Sequence, residues 1–251
     1  MAKRDEILRE LRLAPTWRLR TRSAVDLAQS AAGAQAADVA APAGRVVPLR
    51  PAGERLARIA ALEWPVLAAD IDACNACGLC RTRNRSVPGV GDPHARWLLV
   101  GEAPGAEEDA RGEPFVGQAG KLLDNMLAAL GVSRREGAYI ANVLKCRPPG
   151  NRTPEPAEAE ACRPYLERQI ALIQPSLIVA LGKSAATLLL GTDATIASLR
   201  GRVHSWRSTP LVVTYHPAYL LRNLPDKAKA WEDLLLARKV AAPESRASST
   251  Q

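Results

Sequence analysis

Residues 97–117 read WLLVGEAPGAEEDARGEPFVG: an apolar run leads directly into a turn rich in glycine and carboxylates. An apolar run that ends at Gly and Pro is typical of a buried strand followed by a tight loop. Glycine-rich turns after strands often bind phosphate. This turn has no Gly-Lys-Ser/Thr sequence and carries several acids, so it does not predict a triphosphate site.

Three further apolar runs follow, AYIANV (138–143), LIVAL (177–181) and LVVTY (211–215). Helix-like segments such as QAGKLLDNMLAALG separate the first three of the four runs, and RGRVHSW before the last is a candidate edge strand. Short apolar strands that alternate with helices predict an α/β fold, with helices on both faces of a parallel sheet.

Polar segments follow each predicted strand. The acidic loop follows the first, Asn142 ends the second, LGKSA follows the third and HPAYLLR follows the fourth. Because ligands of parallel sheets bind beyond the carboxyl ends of the strands, we expect the functional site where these segments meet.

The acidic loop combines flexibility with charge. Gly101 and Gly105 allow the backbone to approach a ligand closely, and Pro104 stiffens the turn. The carboxylates of this loop suit activation of water or support of a developing cation, and a solvated acidic turn is the ordinary alternative.

Phe115 and Asn142 each have an ordinary and a functional interpretation. Phe115, the only phenylalanine, is either a core residue or a platform on which a planar ring stacks. Asn142 ends a buried strand, where its amide either caps the next turn or pairs with the edge of a base.

The segment HPAYLLR carries groups suited to DNA. His216 can donate to an oxygen that gains negative charge. Leu220 or Leu221 is a candidate wedge between stacked bases, and Arg222 is a candidate contact to a backbone phosphate.

The five cysteines predict a metal site. Cys74 and Cys77 form a C-x2-C pair, and Cys146 and Cys162 lie far downstream, so the four can close a four-sulfur site holding zinc or an iron–sulfur cluster. Cys80 is then the spare cysteine, although a Cys77–Cys80 pair is an alternative. Buried, unligated thiols are the ordinary interpretation.

Length, composition and charge indicate the partner and the cellular location expected for a chain with these motifs. The chain has 251 residues, is 47% apolar and carries a net charge of +8, which favours a nucleic acid as partner ahead of an acidic membrane surface. No apolar stretch is long enough to span a bilayer, and the charged N-terminus does not resemble a signal peptide. We therefore expect a cytoplasmic protein.

The pattern divides the chain into four parts. Residues 1–22 form a short amphipathic segment, 23–53 an Ala/Pro/Gly-rich flexible linker, 54–240 the globular domain and 241–251 a disordered tail. The first segment is interpreted as a docking peptide for a replication or repair protein, with a basic DNA tether or an incidental extension as alternatives.

Together these motifs resemble the uracil-DNA glycosylase superfamily, most closely its iron–sulfur-containing family 4. The resemblance covers roughly residues 73–237 and rests on GEAPGAEED, GEPFVG, NVLKCRPPGNRTP, LRG and HPAYLLR, which occur in family order. It implies a three-layer α/β/α sandwich around a four-stranded parallel sheet. It also implies a structural [4Fe-4S] cluster with the ligands Cys74, Cys77, Cys146 and Cys162.

The resemblance further implies a monomeric enzyme that flips uracil out of DNA and hydrolyses its N-glycosidic bond, leaving an abasic site. Phe115 is expected to stack on uracil, Asn142 to read its O4 and N3–H edge, and His216 to support O2. Where family 1 has an aspartate this chain has Ala103, so Glu102 is only a candidate base. Substrate contacts are expected from Gly101, Ala103, Pro104, Gly105, Glu108 and Asp109.

Three other functions are compatible with parts of the pattern. One is a non-catalytic nucleic-acid-binding protein with a structural metal, and another is an electron-transfer iron–sulfur protein. The third is the DNA-trapping branch of the superfamily, which carries a reactive histidine in a KRRIH-like insert. Here that region reads LRGRVHSW and the insert is absent, although His204 lies nearby.

Overall fold

The computed structural model describes residues 52–242. The predicted docking segment 1–22, the linker up to residue 51 and the tail from residue 243 lie outside the described residues. Within residues 52–242, no helix is of a length and apolarity that would let it cross a membrane.

The described region contains one six-stranded sheet with the order β1-β3-β2-β4-β6-β5. The four inner strands are parallel, and β1 and β5 pair antiparallel at the edges. The strands are β1 (Val90–Gly91), β2 (Trp97–Gly101), β3 (Ala138–Asn142), β4 (Leu177–Leu181), β5 (Val203–Trp206) and β6 (Thr209–Thr214).

The four predicted strands are therefore confirmed as the parallel core of the sheet. The edge strand proposed within RGRVHSW is also present, as β5. Strand β1 adds a second edge strand, which the sequence did not predict. Strand β1 has only two residues, which is too short for an apolar pattern to reveal.

Nine helices surround the sheet in the described part of the chain. They are α1 (Ala52–Ala60), α2 (Trp64–Asp72), α3 (Ala106–Arg111), α4 (Gln118–Ala128), α5 (Pro156–Ile173), α6 (Lys183–Leu190), α7 (Ile196–Leu199), α8 (Pro217–Leu220) and α9 (Asp226–Ala241). Short 3-10 helices occupy Gly78–Arg81 and Pro149–Asn151.

Alternate residues of the inner strands pack into two separate hydrophobic cores, one on each face of the sheet. Leu99 and Val179 pack with α4 and α9 on one face, whereas Leu98 and Ile178 pack with α5 and α6 on the other. All of these side chains are fully buried, as the continuous apolar strands require in a sheet covered on both faces. The three-layer α/β/α sandwich is confirmed.

A third, smaller core joins the first two helices to α5. Ile59, Leu67 and Ile71 pack around Tyr165, whose hydroxyl donates to Asp70 Oδ2 at 2.7 Å. This packing fixes the segment that carries the first three cysteines relative to the rest of the domain.

The register of the strands aligns their carboxyl ends. Gly101 at the end of β2 lies opposite Asn142 at the end of β3, and Leu181 in β4 lies opposite Thr214 in β6. The chain adds β3 on one side of β2 and β4 on the other, so the strand order reverses there. Such reversals create a crevice at the carboxyl edge.

Candidate active site

Gly101 is the point where the loops of this edge come together. An ideal Cβ at this position would lie 2.4 Å from Asn142 Oδ1 and 2.7 Å from Phe115 Cζ. Any side chain larger than hydrogen would therefore displace one of the two. The structure thus brings the phenyl ring and the carboxamide to the same backbone position, although 27 positions separate them in the sequence.

Phe115 has a backbone conformation that is rare for an aromatic residue, with φ of 55°. Arg134 donates to the Phe115 carbonyl and, at 2.7 Å, to the Pro114 carbonyl. An ideal Cβ at Gly120 would lie 1.7 Å from the Phe115 carbonyl oxygen, so α4 accepts this loop only because that residue is glycine. Surrounding contacts hold the ring in a strained position, as is common at functional sites.

Glu108 ties the two halves of the loop together. Its carboxylate accepts hydrogen bonds from the backbone N–H groups of Gly105 at 3.1 Å, Val116 at 2.9 Å and Gly117 at 3.3 Å. The first contact caps the start of α3, and the other two fix the backbone directly after Phe115. Glu108 therefore shapes the loop through its backbone contacts.

Asn142 carries an unsatisfied acceptor. The residue is 2% exposed, and its Oδ1 is buried without a hydrogen-bond partner among the described residues. Its backbone carbonyl accepts from Lys145 Nζ at 2.8 Å, and this ammonium group also donates to Gln169 Oε1. Burial lowers the pKa of Lys145 to about 8. A buried orphan acceptor costs roughly 1–3 kcal/mol, which a ligand that brings a hydrogen-bond donor would offset.

His216 faces Phe115 across the site. The ring centroids are 5.4 Å apart with an interplanar angle of 27°. His216 Nδ1 accepts from the Ala218 N–H at 3.1 Å, which leaves Nε2 to carry the proton. Burial, with a smaller contribution from Arg222, lowers the pKa of His216 to about 4. The imidazole is therefore neutral near pH 7 and can donate from Nε2.

Segment LGKSA connects two of these elements. Gly182 adopts φ of 92°, and an ideal Cβ there would lie 3.0 Å from His216 Cβ. Two residues later, Ser184 Oγ donates to Glu102 Oε2 at 2.6 Å. Ser184 lies in the first turn of α6, whose N-terminus favours a nearby carboxylate. The sequence marked this segment by position, but not Ser184 as the partner of Glu102.

Known proteins resemble the chain over this same region. Residues 88–235 match the model of a family described as the uracil DNA glycosylase superfamily. A type-4 uracil-DNA glycosylase of Archaeoglobus fulgidus is 48% identical over 160 residues, which are 61% of this chain and 80% of that protein. The chain belongs to the uracil-DNA glycosylase superfamily.

Two other relatives refine the placement. A type-4 uracil-DNA glycosylase of Thermotoga maritima is 46% identical over 63% of this chain and 83% of its own length. A type-5 uracil-DNA glycosylase of Thermus thermophilus is 40% identical over 42% of this chain and 54% of its own length. The resemblance to family 4 is confirmed, because the type-4 matches cover most of both chains.

Two residues of the predicted site, Asp109 and Leu220, lie in surroundings different from those predicted. Asp109 is 1% exposed and accepts from Asn84 N at 2.9 Å and Asn84 Nδ2 at 2.6 Å, so its carboxylate is engaged in anchoring a neighbouring loop. Leu220 is 1% exposed and cannot act as a wedge. Leu221 is 41% exposed and, with the exposed Arg222, remains available to DNA.

All five cysteines of this family member line one small cavity between α2, the 3-10 helix after it and α5. Arg83 Nη1 lies 3.0 Å from Cys146 Sγ, and the Lys145 N–H lies 3.3 Å from Cys162 Sγ. Burial raises the pKa of Cys162 to about 12. No group of three His, Cys, Asp or Glu residues within residues 52–242 could hold a single metal ion.

The imidazole of His216 is expected to titrate near pH 4, because burial disfavours its charged form. Because the unfolded chain takes up this proton near pH 6.5 and the folded chain only near pH 4, the free energy of unfolding falls as the pH decreases from 6.5 towards 4. Histidine-labelled protein followed by NMR measures this titration directly, with His216→Gln to assign the signal. Titration between pH 6 and 7 would show that the ring is hydrated and not enclosed as described.

Proposed function

We propose that this protein is a DNA-repair glycosylase that extrudes uracil from DNA and hydrolyses its N-glycosidic bond, leaving an abasic site. The convergence of Phe115 and Asn142 on Gly101 carries the proposal, because it supplies a stacking face and an orphan acceptor at one point. Membership of the uracil-DNA glycosylase superfamily and homology to type-4 enzymes support it.

Recognition of uracil follows from the chemistry of these two side chains. The phenyl ring of Phe115 stacks on the planar base, an interaction that contributes about 1–3 kcal/mol per base. The Asn142 amide accepts from N3–H through Oδ1 and donates to O4. Cytosine has an acceptor at N3, so it would leave the buried Oδ1 unsatisfied. Sites that depend on a hydrogen bond reject analogues lacking it more strongly than apolar pockets do.

His216 stabilises the departing base. As the glycosidic bond breaks, negative charge develops on the uracil ring, including O2. The neutral imidazole donates its Nε2–H to this oxygen, since Nδ1 is already occupied by the Ala218 N–H. A preorganised donor in a water-excluded site of this kind contributes roughly 10²–10³-fold to the rate.

Glu102 acts on the sugar side of the bond. The sugar gains cationic character in the transition state, and a nearby carboxylate stabilises it and orients the attacking water. Ser184 holds one carboxylate oxygen at 2.6 Å, which fixes the other relative to the loop. With Ala103 in place of the family 1 aspartate, Glu102 is the carboxylate that we assign to this step. The space between Phe115, Asn142 and His216 is here called the slot. The backbone of Gly101, Pro104 and Gly105 forms its floor.

Residues outside the slot help to move the base out of the DNA stack. Extruding a nucleotide costs a few kcal/mol, least for a mispaired base. Leu221 fills the gap left in the stack, and Arg222 holds an adjacent phosphate. Both lie in the loop after α8, close to His216, so DNA binding and base release occur at the same edge of the sheet.

We assign a [4Fe-4S] cluster to Cys74, Cys77, Cys146 and Cys162. The thiols from two distant segments share one cavity, and the Arg83 guanidinium and Lys145 N–H beside two of the sulfurs offset the charge of a thiolate cluster. A single zinc ion needs its ligands within about 2.3 Å of one point. The four thiols lining one cavity would hold a cluster, which would supply a structural cross-link between the two segments.

Other functions of the same chain are less well supported. A non-catalytic binding protein would not need an orphan acceptor beside a strained aromatic ring. For covalent trapping, His204 would have to reach the sugar, but it lies on the edge strand β5 and its Nε2 is 2.7 Å from the Leu199 carbonyl. Electron transfer leaves the whole carboxyl-edge site unexplained.

We further propose that residues 1–22 dock onto a replication or repair protein, that the linker of residues 23–53 tethers them, and that the enzyme is a cytoplasmic monomer. These segments precede the described domain, and the net charge of +8 is consistent with work on DNA. Removal of residues 1–50 is then expected to leave uracil release from a short duplex unchanged.

The Asn142→Ala variant tests the function. Loss of the paired amide is expected to lower kcat/KM for release of free uracil from a uracil-containing oligonucleotide by roughly 10²–10³-fold. Asn125→Ala, in the exposed part of α4, is the matched control and should behave as the parent protein. Failure of the parent protein to release uracil, or full turnover by Asn142→Ala, would refute the proposal.

The Ser184→Ala variant tests the role of Glu102. If Ser184 acts by orienting this carboxylate, its removal should lower kcat about tenfold at unchanged KM, and Ser184→Thr should restore it. In a Glu102→Gln background the same change should have no further effect, which is the signature of coupled residues. Ser198→Ala serves as a hydroxyl-loss control. Additive effects in the double variant would place Ser184 outside the catalytic step.

Cysteine variants test the cluster. Cys162→Ser is expected to purify without its full iron and sulfide content and to melt roughly 10 °C lower, because a cross-link between distant segments is lost. Cys80→Ser should keep iron, sulfide and melting temperature at the parent level. Zinc in the purified parent protein, or iron loss in Cys80→Ser, would overturn the assigned cofactor or ligand set.

A further inference from the structure

A groove of about 830 Å³ lies beside the cysteine-lined cavity, away from the catalytic loops. Its walls come from α2, the loop of residues 80–89 and the end of α3. Neither Phe115, Asn142 nor His216 lines it. The volume falls within the range of about 300–1,000 Å³ that is typical of ligand sites, so the groove requires its own explanation.

The groove is strongly basic. Three guanidinium groups line it, from Arg83, Arg85 and Arg111, against the single carboxylate of Asp72. Arg83 is engaged with Cys146 Sγ, and Asp72 accepts from a neighbouring serine hydroxyl. Arg85 and Arg111 are exposed, and the nearest acid to Arg111 is a residue of its own helix 3.9 Å away. These two cations are available to an anionic ligand.

An aromatic pair forms another part of the wall. Trp64 and Tyr139 have ring centroids 5.2 Å apart with an interplanar angle of 37°. Tyr139 is 6% exposed, whereas Trp64 is only partly buried and lines the groove. Cationic side chains beside an accessible aromatic ring are the combination that binds single-stranded nucleic acid, through phosphate contacts and base stacking.

Helix α3 connects the groove to the catalytic loop. It begins directly after Gly105 and ends at Arg111, so its six residues span about 9 Å at 1.5 Å per residue. Asp109 on this helix accepts two hydrogen bonds from Asn84, which lines the groove. Helix α3 and this hydrogen-bonded pair therefore hold the groove at a fixed position relative to the catalytic loop.

We propose that this groove binds an unpaired nucleotide of the same DNA strand, close to the uracil. Its phosphates lie on Arg85 and Arg111, and its base stacks on Trp64. The assignment of the ligand as the substrate strand rests on the proposed glycosylase function. The groove itself makes the enzyme favour single-stranded DNA.

Binding of a fluorescent twelve-residue thymidine oligonucleotide to the full-length holoprotein tests the groove without relying on catalysis. The double variant Arg85→Gln/Arg111→Gln should raise Kd about tenfold. Its slope of log affinity against log salt should be shallower by about 1.4, or 0.7 per lost phosphate contact. Arg238→Gln, an exposed change on the last turn of α9, is the control and should leave both unchanged.

A further comparison sharpens the test. On a fully paired duplex of the same length the double variant should lose less affinity, because a paired strand cannot enter the groove.

If the double variant has the same Kd and salt slope as Arg238→Gln, the groove proposal is wrong. This result would not contradict the glycosylase function, because uracil release is measured separately. An equal loss of affinity on duplex DNA shows binding of paired backbone, and also overturns it. Absence of uracil release by the parent protein would sink the glycosylase function, and the thymidine-oligonucleotide binding would still decide whether the groove holds single-stranded DNA.

Discussion

The contact of two side chains with the backbone of Gly101 is the constraint on which the rest of the site depends. A phenyl ring and a carboxamide can both reach this point only because no Cβ is present. The loop that carries Phe115 must in turn adopt a left-handed backbone. This backbone conformation is accommodated by the missing side chain of Gly120 and held by hydrogen bonds of Arg134 and Glu108. Much of the structure around the slot therefore serves to hold one strained residue.

The electrostatics of the site follow from selective burial. Asn142 Oδ1 is buried without a partner, and the imidazole of His216 is held in its neutral form. A buried acceptor without a partner costs stability, and in the proposed function the N3–H of uracil supplies its donor. Exposed positive charge lies outside the slot, on Arg85 and Arg111 of the groove and on Arg222 in the loop after α8. The acidic loop therefore suits a chain with a net charge of +8.

The fold was largely predictable because strands buried on both faces are continuous apolar runs. All four inner strands were found this way, and their shared carboxyl edge located the site. Strand β1 was not predictable, because two residues are too few to show the alternation of a strand. Nor could the sequence show that Leu220 is buried and Leu221 exposed, because a short helix has no detectable hydrophobic periodicity. Asp109 looked like a site residue because it lies in the loop, but its partner Asn84 comes from a distant segment.

The sequence by itself determined the fold class, the family and the residue types that carry the chemistry, since these depend on local pattern and on motifs that appear in order. The tertiary structure alone decided which of these residues touch. The Ser184–Glu102 hydrogen bond joins residues 82 positions apart. The groove beside the cysteines gathers side chains from several separate segments. Such contacts depend on how strands and loops stack in space, and the spacing of residues along a chain does not record that.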